Sequence, residues 1–141
     1  MNKSLTVTLL ALVVSFLLIL GAFFIPPVQN LFQGTALFLL PFIIFSLLGI
    51  VLIFLTLREK VKGTLKRYLL LTGASALGFF TFIFLHNAFY ALNMVTHHIT
   101  VLNYLTEILH TIFFLAAILL CPLGFLVGIV GTTILHFKQK R

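Results

Sequence analysis

What this chain has least of is charge, and acid above all. Of its 141 residues 8% are charged, nine lysines and arginines against two acids, Glu59 and Glu107. A soluble domain of this size must cover its surface with polar side chains, and so few charges cannot do that. Aspartate is absent altogether, so a Ser-His-Asp triad cannot be assembled, although a glutamate can take the third position in principle. A lone cysteine, Cys121, rules out an intrachain disulfide and a thiol-disulfide relay. There is no phosphate-cradling glycine loop, because the glycines fall at helix-packing intervals.

What the chain does have is hydrocarbon. It is 62% hydrophobic with a mean hydropathy of +1.26, which makes the lipid bilayer its expected surroundings. A membrane-spanning helix needs about 20 mainly apolar residues, and the pattern predicts four of them, over residues 5–25, 35–57, 68–92 and 107–135. The fold expected is an all-α, four-helix transmembrane bundle forming one domain over 1–141. The first span is read as a retained helix and not a cleaved leader, since it is long and leads into Phe23, Phe24, Pro26 and Pro27 where a leader would show small residues. Pro41, about one and a half turns into the second span, is expected to bend it. Pro122 should kink the fourth near its middle.

A net charge of +7 raises nucleic acid as a partner, but the basic residues sit at the ends of apolar runs and not along a soluble face. They are Lys3, then Arg58, Lys60, Lys62, Lys66 and Arg67, then Lys138, Lys140 and Arg141. The loops at 27–34 and 93–106 hold none. The positive-inside bias therefore predicts an up-down-up-down bundle with both termini and the 58–67 connector cytoplasmic. A multi-pass protein of a prokaryotic plasma membrane, with no nucleic-acid partner, is the corresponding expectation.

Small residues recur at spacings that let helix backbones approach: Gly73, Ala74 and Gly78 on the third span, Gly124, Gly128 and Gly131 on the fourth. They suggest contacts with other transmembrane helices, in a homo-oligomer or a larger complex. The leading functional expectation is an accessory or structural subunit, with no catalytic residue assigned.

The polar residues that remain gather between His86 and His110, a stretch holding four of the five histidines and one of the two acids. Helical spacing puts His86, Tyr90 and Asn93 on one face of the third span and Asn103, Glu107 and His110 on one face of the fourth. Antiparallel passage brings the two faces to one depth. An acid near hydrocarbon needs a partner or a watery cavity, so Glu107 is expected to converge with the two histidines. Glu107 and His110 have the Glu-x-x-His spacing of di-metal bundles, but the further carboxylates such centres require are missing. Three uses stay open. His86, Glu107 and His110, with His97 or His98 as a fourth ligand, suit zinc or another divalent metal. His86 and His110 suit the axial positions of a b-type haem. The group can also be a polar clamp between helices. A small oligomeric transporter, working through Glu107 and the Pro41 and Pro122 kinks, is the remaining class.

Overall fold

Hydrocarbon offers the backbone no hydrogen-bond partner, so an apolar chain satisfies its N–H and C=O groups within itself, as helix. The computed structural model describes residues 2–27, 30 and 39–138, and among them no strand occurs. Four helices are long and apolar enough to cross a membrane: α1 (Lys3–Phe24), α2 (Leu40–Arg58), α3 (Gly63–Thr96) and α4 (Thr100–Lys138).

The ends of these helices have local causes. Ile25 is extended, with φ −109° and ψ 106°, the conformation that a following proline imposes. Pro41 lies in the first turn of α2, where a missing N–H costs no hydrogen bond. Pro41 thus stands at the start of the described helix and not one and a half turns inside it; residues 35–38 of the predicted second span lie outside the described residues. At the other end of α2, Lys60 adopts φ +49°, its N–H reaches the Leu57 carbonyl, and the Val61 N–H reaches that of Thr56. This is a Schellman closure, with lysine where glycine is usual. α3 starts at Gly63, so Lys66 and Arg67 ride on helix instead of loop.

The expected outer loop over 93–106 needs correction, because helix continues through nearly all of it and only the turn His97–Ile99 separates α3 from α4. Neither proline nor glycine occurs there, and the polar side chains bond to one another across the two helices. Pro122 does disturb α4. The segment Ala116–Leu120 just before it is a π-turn, in which the Cys121 N–H donates to the Ala116 carbonyl five residues back.

α3 is the central element: it packs on α2 and along both halves of α4, while α1 packs on α2. Five phenylalanines, at least one from each helix, tie the four together. Phe16 and Phe45 lie 4.8 and 5.0 Å from Phe125, and Phe42 stacks on Phe79 at 5.8 Å, the spacings that aromatic pairs favour. Glycine sets the closest approaches. A Cβ on Gly49 would lie 2.7 Å from the Gly73 carbonyl, one on Gly124 2.5 Å from Ser75 Oγ, and one on Gly128 2.9 Å from the Thr72 nitrogen. Gly131 fits under the Tyr68 ring and Gly78 faces Cys121. These small-residue contacts are made within the chain. Ala74, predicted beside Gly73 and Gly78 as part of the packing face, is instead exposed, because α3 turns Gly73 and Ala76 towards α2.

The helices differ in reach. α1 and α2 have 22 and 19 residues, α3 and α4 have 34 and 39, which at 1.5 Å per residue means about 30 Å for the first pair and 50 to 60 Å for the second. Lys3 and the 58–67 region share one end with Lys138. The surplus length of α3 and α4 lies at the other end, which carries His86, His97, His98 and His110.

Candidate functional site

Beyond Phe82, α3 meets α4 through rings and amides. Phe82 and Phe89 stack on Phe113 at 6.0 and 5.4 Å. Next, Nδ1 of His86 lies 2.9 Å from the His110 carbonyl oxygen, with the two rings 5.4 Å apart. Tyr90 stands edge-on to His110 at 5.7 Å. Farther out, Asn93 Nδ2 donates to the Asn103 carbonyl at 3.0 Å, to Asn103 Oδ1 at 2.9 Å and to Thr106 Oγ1 at 3.0 Å. The Thr106 hydroxyl, buried, donates in turn to the Leu102 carbonyl.

These contacts fix a tautomer. A carbonyl only accepts, so Nδ1 of His86 carries the hydrogen, and in the neutral ring Nε2 is then a bare acceptor. Nδ1 of His110 is buried with no partner among the described residues.

Of the residues singled out from sequence, His86 and His110 come together, with Tyr90, Asn93 and Asn103. Glu107 does not join them. The stripe of α4 that faces α3 is Asn103, Thr106, His110 and Phe113, and Glu107 is exposed on a shallow surface shared with Tyr104, Ile108, Thr111 and Ile112. His97 and His98 are exposed in the turn, about 16 Å farther along α3 than His86. His97 Nδ1 is occupied by the Met94 carbonyl. Among the described residues no three histidine, cysteine or acidic side chains are placed to share a metal. His86 and His110 touch directly, ring to backbone, so a haem plane between them would require α3 and α4 to part.

Sequence reasoning overlooked two things. One is Thr106, which faces α3 where Glu107 was expected to and accepts from Asn93; a threonine that bonds its own helix gives no hydropathy signal. The other is a cleft of about 520 Å³ between α1, α3 and α4, walled by Phe16, Phe23, Ile83, Phe114 and Ala117, with His86 the one polar lining residue among those described. Nothing in linear spacing indicates where α1 stands off from α4. The chain matches no protein-family model, no curated protein and no solved structure.

Proposed function

We propose that this is a multi-pass subunit of a prokaryotic plasma membrane, an up-down-up-down bundle with both termini and the Arg58–Arg67 connector cytoplasmic, which acts without catalysis by docking a partner's helix along α4. One observation carries the reading. Val101, Leu105, Ile108, Ile112 and Leu115 recur at alternating steps of four and three, the seam spacing of paired helices, and all five are exposed, from 47% to 76%. In hydrocarbon such a stripe needs no cover. Val101 and Leu105, however, lie past His86 and His110, beyond the ends of α1 and α2 and roughly 10 Å outside the span those helices define. Apolar side chains of that size in water or headgroups mark an interaction site. Because the glycine faces are used inside the chain, a partner must meet an apolar surface such as this stripe.

Cysteine crosslinking in native membranes tests this. In a Cys121→Ala background, Leu105→Cys, Ile108→Cys and Ile112→Cys should give a discrete adduct, whose mass distinguishes a second copy from a different subunit, while Leu17→Cys, exposed on α1, should not. Equal yields at all four positions, or none, would refute the seam. Reporter fusions at Gly63 and Lys140 should read cytoplasmic and at Gln33 and His98 exterior; Gln33 and Lys140 lie outside the described residues. An exterior reading at Gly63 overturns the orientation.

A further inference from the structure

We propose that the cleft between α1, α3 and α4 binds a membrane lipid whose polar end is an un-ionised hydroxyl, with the hydrocarbon chain against the phenylalanine walls and the hydroxyl donating to Nε2 of His86. At about 520 Å³ the cleft has the size of a small-molecule site, and such sites are mostly apolar with a few placed polar groups. Here, among the described residues, there is one such group, His86. Its chemistry is constrained, because Nδ1 of His86 is committed to the His110 carbonyl at 2.9 Å and Nε2 of the neutral ring can only accept. The ligand must therefore bring the hydrogen, as an alcohol or a phenol does and as an ester, ether, ketone or quinone does not.

A cationic headgroup would find no counter-charge, since no carboxylate among the described residues lines the cleft and Glu107 is turned away. Anionic lipids fit poorly for the complementary reason: no lysine or arginine lines the cleft. Entry is from the side. Phe23, Phe24, Phe114 and Ile118 at the rim are 44% to 78% exposed, so the cleft opens where bilayer chains would lie. Ala117, from the π-turn, keeps the inner wall shallow.

The full chain, reconstituted in phosphatidylcholine nanodiscs, is titrated with farnesol and with farnesyl methyl ether, which differ by the hydroxyl hydrogen alone. A prenylated hydroquinone and its quinone form a second pair. Farnesol should bind saturably and about tenfold more tightly than the ether, the worth of one hydrogen bond in a dry site, and the hydroquinone should exceed the quinone likewise. The pair that binds more tightly tells whether an aliphatic alcohol or a phenol is the better source of the hydroxyl. Leu20→Trp, which crowds the cleft from α1, should weaken every probe, and His86→Phe should erase the preference within each pair. Equal binding of alcohol and ether to the unaltered protein, or no saturable binding, overturns the proposal, as does a preference that survives His86→Phe.

Discussion

The same two helices, α3 and α4, are joined in two different ways along their length. Towards the basic end, Tyr68, Thr72, Ser75 and Gly78 lie against Gly131, Gly128, Gly124 and Cys121, and the contact is steric, with backbone close to side chain. Threonines in that half bond their own helix, Thr72 to Tyr68 and Thr133 to Ile129. Towards the histidine end there is almost no fully buried residue, yet His86 and Asn93 hydrogen-bond directly to the opposing helix. Lipid removes the hydrophobic drive between helices, so apolar helices that meet within it associate through close packing. Where apolar packing thins out, hydrogen bonds set the register instead.

Breaking the steric half should cost most. A side chain at Gly128 would run into Thr72, its Oγ1 included, and Gly128→Leu should lower stability by about 3 kcal/mol or prevent a monodisperse preparation; an unchanged melting temperature in detergent would mean α3 and α4 do not meet there. The polar half should yield less. Asn93→Ala removes a donor to Asn103 and Thr106 and should cost about 1 kcal/mol, with faster hydrogen exchange confined to residues 93–106. Exchange that rises equally near Gly128 would show the two halves to be one cooperative unit. Within the steric half a hydroxyl is a liability: Thr132 Oγ1 is buried with no partner among the described residues. Thr132→Val should therefore raise stability, by up to about 1 kcal/mol, and a loss of that size would point to a hidden acceptor. Smallest of all is Ala74→Leu, one residue from tightly packed Gly73 but exposed, which should change stability by less than about 0.5 kcal/mol. A loss matching that of Gly128→Leu would put another chain on that face.

The four helices were legible because hydrocarbon leaves apolar segments one solution, and glycine spacing marked which stretches of α3 and α4 come close. It did not say that the partners were each other, nor that Gly73 and not Ala74 takes the contact with Gly49, since neighbouring small residues look alike until the rotation of the helix is known. The meeting of His86 with His110 and of Asn93 with Asn103 followed from antiparallel levels. Glu107 was misplaced for a definite reason. Asn103 has two neighbours along a helix face, three and four residues on, and a uniform α-helix hardly distinguishes Thr106 from Glu107. The π-turn at Ala116–Leu120 makes the choice, rotating everything before it by roughly one residue's worth of turn, about 100°. No spacing rule built on 3.6 residues contains that rotation.

That π-turn also makes the chain unequally tolerant of changes in length. Taking one residue out of Ala116–Leu120 lets α4 relax to plain α geometry while Thr106 and Phe113 still face α3 and Gly124 and Gly128 keep their places. Straightening the turn with its full complement of residues instead rotates the whole segment before it by one residue, so that Tyr104, Glu107 and Thr111 replace Asn103, Thr106 and His110 against α3. The chain thus holds two faces for one helix, and His110 meets His86 while a carboxylate stays outside because a single surplus residue is stored as a bulge.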